Sequence, residues 1–359
     1  MRPCPVKVLI VDDSPAVRTV LMRVLSGQDG ILVAGGAKDA FEARELVLQH
    51  RPDVIVLDIE MPRMSGVAFL KKLMAHYPVP VIMCTDSGSA QSQAALDALE
   101  LGATAVVVKP LATNRGALRK LGEELAEHIR TAAVALKRPP PLPVPVLHTP
   151  VSLHSVGLNP AHFLVAIGAS TGGTEAIKEL LQHVPEDFPP AVIVQHMPEE
   201  FTASFADRLD HYSPLTVHEA RDGERLAPGV VLVARGGVQM TVGGNIGAWR
   251  VHYGTSAPVN RHCPSVDVLF DSVVRAAGRR AVGVLLTGMG ADGARGLLNL
   301  KNAGALTIGQ NADSCVVYGM PKVAADLGAV QVTGAPADIP ALMVQTLRAA
   351  RQPVGIEGP

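Results

Sequence analysis

The chain has 359 residues, 48% of them hydrophobic and 18% charged, with a formal net charge of -1. A length beyond what one hydrophobic core usually organises predicts two domains, and this balance of apolar and charged residues excludes a disordered chain. Near-neutral charge, with no Lys/Arg run or basic stripe, excludes the phosphate-neutralising surface on which DNA binding rests, so no nucleic-acid partner is expected. From residue 6 to about 130, short runs of Val, Ile and Leu alternate with segments of helical period, the pattern of a parallel α/β sheet. The predicted strands are VKVLIV, ILVAG, VIVLD, VPVIMC and AVVV, each closed by a turn signal or polar cluster, and five such βα units predict a doubly wound sheet.

Between about residues 131 and 160 the chain carries seven prolines, a PPPLPVPV run and no Asp or Glu. Proline fixes φ and donates no amide hydrogen, which predicts a semi-stiff linker rather than a helix or central strand. A second α/β pattern follows through FLVAIGAS, AVIVQH, VVLVA, AVGVLLTG and ALTIG. Within it, QMTVGGNIGAWRVHY has two alternating runs about Gly-Gly-Asn and predicts an antiparallel hairpin at a sheet edge. The four cysteines, Cys4, Cys84, Cys263 and Cys315, lie far apart, with neither C-x-x-C spacing nor the density of a disulfide scaffold, and read as reduced thiols. Asp12 and Asp13 break the first strand too early for a signal-peptide apolar region, and no stretch approaches the roughly 20 apolar residues of a membrane span. A cytoplasmic location without direct membrane insertion is the expectation.

The strand ends of the first half carry chemistry. Asp12 and Asp13 follow the first strand, Asp58 ends the third, Thr85 follows the fourth run and Lys109 follows the fifth. Ligands of an open parallel sheet bind outside the carboxyl ends of its strands, so these residues can converge. Clustered carboxylates repel one another unless a hard cation such as Mg²⁺ takes their oxygens as ligands. Asp58 can then attack a phosphodonor as a carboxylate nucleophile, with Lys109 pairing to the added oxygens and the Thr85 hydroxyl reporting their arrival. A single strand-terminal Asp is usually a helix cap or a solvated turn, but five matched residues at four strand ends point to a site.

LIVDDS, LDIEMPRMSG and VVVKP, in that order, resemble the receiver domain of two-component response regulators over residues 5 to 128. The resemblance implies a flavodoxin-like (βα)5 fold, Asp58 as phospho-acceptor, Mg²⁺ held by Asp12, Asp13, Asp58 and the Glu60 carbonyl, and coupling to shape through Thr85 and Lys109. Two positions depart from the pattern: Ser65 stands where many receivers have an acidic residue, and Val106 where the fifth strand usually carries the Phe or Tyr of a conformational switch. The second departure bears on how a signal leaves the domain, because a small Val cannot swing in and out of a pocket as a ring does.

FLVAIGASTGG puts Ser170 directly after a buried-type strand, inside a G-x-S-x-G from Gly168 to Gly172, with a helical pattern from Gly173. Strand, sharp turn and helix expose the hydroxyl at the strand end. A serine at neutral pH needs an adjacent base. His196 ends the next strand, which a short right-handed crossover sets beside the first. Asp292 in LLTGMGADGA supplies a carboxylate to fix the imidazole tautomer. Each residue alone is more often a turn or surface group, and the joint topology carries the assignment. The order Ser, His, Asp departs from α/β-hydrolases, whose histidine comes last.

IGASTGG, VQHMP, CPSVDVLF, LLTGMGADGA and SCVVYGMP together resemble the catalytic domain of the chemotaxis protein-glutamate methylesterase (CheB) family over residues 162 to 350. A receiver over 1–130, a Pro-rich linker over 131–160 and a methylesterase domain over 161–352 match that family's architecture. The resemblance implies an α/β C-terminal domain, doubly wound and mostly parallel, with the hairpin appended. It implies Ser170 as nucleophile, His196 as general base, Asp292 as orienting carboxylate, and Thr171 and Met289 lining the site, with no metal there. The implied substrates are glutamate 5-methyl esters and certain glutamines of methyl-accepting chemoreceptors, and the implied phosphodonor is a chemotaxis histidine kinase. Cys263 stands where the family usually has Arg before Pro-Ser-Val-Asp, which bears on a receptor contact, and it lacks the glycine turn and orienting partner of a nucleophile.

Two other classes fit less well. A DNA-binding output would need a basic recognition helix that the second half lacks. A nucleotide-binding enzyme would need G-x-G-x-x-G spacing and an acidic residue about 20 positions on, where this chain has Gln195 and His196.

Overall fold

Five apolar runs build the N-terminal sheet: β1 (Val6–Val11), β2 (Ile31–Ala37), β3 (Val54–Asp58), β4 (Val81–Thr85) and β5 (Ala105–Val108). The structure, a computed structural model, describes residues 4–86, 88–110, 114–135 and 150–350. The sheet is parallel throughout, in the order β2-β1-β3-β4-β5. Its strands are joined through α1 (Pro15–Ser26), α2 (Ala40–His50), α3 (Gly66–His76) and α4 (Ser89–Glu100), and α5 (Arg115–Ala135) closes the unit. Ser14, Asp39 and Ser65 cap α1, α2 and α3 by accepting from Val17, Phe41 and Ala68 amides, so the turn residues also start the helices. The strand order reverses at β1, between β2 and β3, and that switch point brings the carboxyl ends of β1 and β3 together.

The chain divides into two compact units near residue 140. At both ends of the expected linker, residues join the neighbouring units. Helix α5 runs on to Ala135, with its own Thr131 and Ala132 buried. From the other side, short 3-10 turns at His154–Val156 and Pro160–His162 bury Leu153 and Leu158 in the C-terminal unit. Asp187 holds the first of these turns by accepting from Ser152 Oγ at 2.9 Å and the His154 amide at 2.8 Å. Apolar side chains and one capping carboxylate thus decide where the linker ends. The PPPLPVPV run, residues 139–146, lies outside the described residues.

The C-terminal unit is a second parallel sheet. Its strands are β6 (Leu164–Ala169), β7 (Ala191–Gln195), β8 (Thr216–Glu219), β9 (Val230–Val233), β12 (Ala281–Leu285), β13 (Leu306–Gln310) and β14 (Val332–Gly334). They lie in the order β14-β13-β12-β6-β7-β9-β8. Helices α6 (Gly173–Gln182) and α7 (Glu199–Tyr212) serve one wing, and α8 (Val266–Ala277), α9 (Ala294–Asn302), α10 (Met320–Asp326) and α11 (Ile339–Ala349) the other. Strands β6, β7 and β12 are buried along their whole length, and each such Val, Leu or Ile stabilises the fold by about 1.5–3 kcal/mol.

Two features differ from the sequence expectation. Strands β8 and β14 are short and partly polar, so their pairing with β9 and β13, not an apolar run of their own, makes them strands. The hairpin of β10 (Met240–Gly243) and β11 (Arg250–Tyr253) forms a separate two-stranded sheet rather than an edge of the main one. It packs on α8 instead: the Val242 amide donates to Ser272 Oγ at 2.8 Å, and the buried Trp249 donates its indole N–H to the Ala276 carbonyl at 3.1 Å.

Candidate active site and acidic pocket

In the N-terminal unit, Asp12, Asp13, Asp58 and Lys109 meet at the carboxyl edge of the sheet. One oxygen from each of the three carboxylates lies within 4.8 Å of the others. Lys109 Nζ lies 2.9 Å from both Asp12 Oδ2 and Asp58 Oδ2, and all three groups are buried. Burial, opposed by the Lys109 ammonium and reinforced by Asp12, pushes Asp58 up to about 6. Burial works against the Lys109 ammonium as well, but Asp58 and Asp12 outweigh it and raise its pKa. Asp12 Oδ2 is buried with an ion pair but no hydrogen bond, and three crowded carboxylates with an unfilled lone pair suit a hard divalent cation.

Thr85 ends β4 fully buried, its hydroxyl donating to the Asp86 carbonyl at 3.3 Å. Glu60 and Asp13 line an open cavity of about 620 Å³ beside the pocket, with Met61, Pro62 and Ser65. The Ser65 hydroxyl is the N-cap of α3, a structural use for the position where receivers often carry an acid. Its neighbour Gly66 has no latitude: a Cβ there would lie 1.8 Å from the Asp58 carbonyl oxygen. Val106 is half-buried in β5.

In the C-terminal unit, Ser170 follows β6 directly, and β6 lies between β7 and β12. The register pairs Ala169 with Gln195, so Ser170 and His196 leave adjacent strands side by side, and Asp292 follows from the other neighbour. After Ser170 the chain turns sharply, with the Gly173 amide donating to the Ser170 carbonyl at 2.7 Å and Gly172 at φ 76°. Gly288 packs against this turn so closely that a Cβ would lie 2.7 Å from Ser170 Cβ. Thr171 is buried, and Met289, directly after Gly288, is half-buried.

His196 Nε2 and Asp292 Oδ2 are hydrogen-bonded at 2.9 Å, leaving His196 Nδ1 buried without a hydrogen-bond partner. Asp292 accepts further bonds from the Val266 amide on Oδ2 at 2.7 Å, and from Asn260 Nδ2 and Ser265 Oγ on Oδ1, both at 2.7 Å. Burial opposes its ionisation, but the bonds from His196, Asn260 and Ser265 hold its carboxyl well below the usual range. The start of α8 points at this carboxylate, a charge that a helix N-terminus favours.

Comparison with known proteins bears on both units. The CheB methylesterase family model matches residues 165–343, and the response regulator receiver domain model matches residues 8–120. A Hahella chejuensis chain named protein-glutamate methylesterase/protein-glutamine glutaminase 2 is 47% identical over 337 residues, spanning 90% of this chain and 92% of its own. A Bordetella avium chain of the same name is 48% identical over 325 residues, again spanning 90% and 92%. The chain belongs to the CheB methylesterase family. The crystal structure of the Thermotoga maritima CheB methylesterase catalytic domain is similar to its C-terminal half, with a TM-score of 0.50, 36% identity, and coverage of 51% of this chain and 98% of that one.

Several residues around the CheB-family site escaped sequence reasoning. Gln195 is buried at the end of β7 and donates its amide to both the Ser170 carbonyl, at 2.9 Å, and the His196 carbonyl, at 3.2 Å. A lone Gln closing the run AVIVQ just before the histidine is a signal that could have found it. Thr287 also holds the turn after Ser170: its carbonyl accepts from the Ser170 amide and its hydroxyl donates to the Thr171 carbonyl, both at 3.0 Å. Asn260 and Ser265 carry no such signal, because only the tertiary fold aims them at Asp292. His262, to which the sequence assigns no role, stacks on His196 with ring centroids 3.7 Å apart and planes at 6°. All four cysteines are free, and no helix among the described residues is long and apolar enough to cross a membrane.

Proposed function

We propose that this chain hydrolyses glutamate 5-methyl esters of methylated chemoreceptors, releasing methanol, and deamidates receptor glutamines, using Ser170, His196 and Asp292 under control of phosphorylation at Asp58. The observation that carries the reading is the bond from His196 Nε2 to Asp292 Oδ2, next to the strand end that bears Ser170. It commits Nε2 to the carboxylate and leaves Nδ1 to take the serine proton. Ser170 Oγ attacks the ester carbonyl as its proton passes to Nδ1, and the same proton then leaves with the methoxide as methanol. Water, deprotonated by Nδ1, then attacks the acyl carbon, and the same proton passes to Ser170 Oγ as its bond to the acyl group breaks, freeing glutamate. With a glutamine the leaving group is ammonia. Asp292 stays ionised throughout and favours the imidazolium.

In the receiver, Mg²⁺ held by Asp12, Asp13, Asp58 and the Glu60 carbonyl would supply the positive charge that draws in a phosphodonor. An Asp58 oxygen then bonds to phosphorus as the donor, a histidine kinase of the chemotaxis system, departs. Lys109 is within reach of the added oxygens, and the Thr85 hydroxyl can leave the Asp86 carbonyl to join them.

The test is methanol release from methylated receptor membranes, with and without a small phosphodonor and Mg²⁺. Release should rise with both present. Ser170→Ala and His196→Ala should each lower kcat by about 10⁴ to 10⁶, with the double variant hardly worse, because triad members act as a unit. Near-normal release from either single variant overturns the assignment.

A further inference from the structure

The assigned triad leaves one geometric question open: what holds the plane of the His196 ring. The Cβ tether and the bond from Nε2 to Asp292 fix two points of the imidazole and leave its tilt about the line between them to the groups packed on its faces. Nδ1 can face the serine in only one setting of that tilt. The ring of His262 lies flat against the His196 ring, 3.7 Å away and within 6° of parallel, which restrains the motion that the hydrogen bond does not.

His262 is itself firmly held. Val259 and His262 exchange both backbone hydrogen bonds at 2.9 Å, closing a two-residue turn whose central residues, Asn260 and Arg261, have φ of 52° and 70°. Such backbone is uncommon outside glycine, and Arg adopts it less readily than Asn, so the surroundings must impose it. Gln239 does so from below. Its amide donates to the Ala257 and His262 carbonyls at 3.0 and 3.1 Å, and its oxygen accepts from the Ser265 amide at 2.8 Å. The same turn aims Asn260 at Asp292, so one short segment fixes both the carboxylate and the face of the ring it orients.

We propose that His262 is a positioning residue for the esterase, setting the plane of the His196 imidazole so that Nδ1 faces Ser170. The proposal rests on the assignment of Ser170 and His196 given above. It needs a flat ring at position 262 and no proton transfer there.

The experiment compares His262→Ala, His262→Phe and Ser170→Ala in the full-length chain. Each is assayed for methanol release from methylated receptors and for the rate at which a fluorophosphonate probe labels the serine. His262→Ala should lower kcat and the labelling rate together by roughly tenfold to a hundredfold, the scale of a small misplacement of a catalytic group, with KM within about twofold. His262→Phe, which keeps the flat ring, should recover most of both. Trp249, the sole tryptophan and fully buried, reports by its emission whether the catalytic unit has folded. If His262→Ala loses that emission, His262→Leu takes its place and the same rates are read.

Unchanged kcat and labelling in His262→Ala would overturn the proposal. So would a rise in KM at constant kcat, which marks a substrate contact, or a Phe variant as slow as the Ala variant, which marks a need for the ring nitrogens. Release and labelling that persist in Ser170→Ala would overturn the triad assignment beneath it, a different result from any of these.

Discussion

The two units place buried carboxylates at the carboxyl ends of parallel strands and treat them in opposite ways. Asp58 meets the Lys109 ammonium at 2.9 Å, and burial outweighs that contact enough to push it up to about 6. Asp292 is buried as well, but bonds from His196, Asn260, Ser265 and the Val266 amide hold it ionised. A carboxylate that must form a new bond keeps lone pairs available, and the cost is an uneasy charge. A carboxylate that must only orient another group is saturated, and it gives up reactivity for a fixed direction.

Asp292→Asn should break the saturated site most severely. The amide turns an acceptor into a donor among donors and no longer favours the imidazolium, so kcat should fall by about 10⁴ in methanol release. A loss under tenfold would mean that the carboxylate is not the orienting group. Asp58→Asn sharpens the other half of the comparison. An amide neither attacks phosphorus nor gathers a divalent cation, so stimulation by a small phosphodonor with Mg²⁺ should vanish, and stimulation that survives would put the acceptor elsewhere.

A subtler change removes one bond from Asp292. Ser265→Ala should destabilise the catalytic unit by about 1–3 kcal/mol in urea unfolding followed by Trp249 emission, since Ser265 also caps α8. Its kcat should fall by about tenfold or less, because the other donors remain. The folded pKa of Asp292 is depressed, so its stabilising share is complete above the unfolded carboxyl value of about 3.9 and is lost as pH falls toward the folded value. The gap between Ser265→Ala and the parent should therefore be widest near neutrality and narrow below about pH 4. A gap that widens in acid would contradict this reading of Asp292.

The two halves were also legible to different degrees. Every strand of the receiver was readable as an apolar run, most plainly β3 and β4, because a parallel strand buried on both faces has little room for polar residues. In the second unit the same rule found β6, β7, β9, β12 and β13 but missed β8 and β14, whose few residues are half polar. The candidate site divides similarly. Ser170, His196 and Asp292 announce themselves because the first two directly follow strands and the third lies in the glycine-rich turn after β12. Asn260, His262 and Ser265 lie on a separate loop and reach the site only because α8 packs against β6, where Val266 fills the space beside Gly168. No local pattern encodes that meeting.

The close approach at Gly66 limits how this receiver can vary. The atom a Cβ would strike is a backbone oxygen of Asp58, on a strand that cannot retreat without moving Asp58, the proposed acceptor. Every single-nucleotide change of a glycine codon that puts another amino acid there adds a Cβ. Position 66 is therefore isolated in sequence space, with no neighbouring amino acid as a stepping stone, while Ser65 beside it can exchange with Thr, Asn or Asp and still cap α3. Drift in the loop after Asp58 is thus channelled through the cap, and the residue that follows stays fixed.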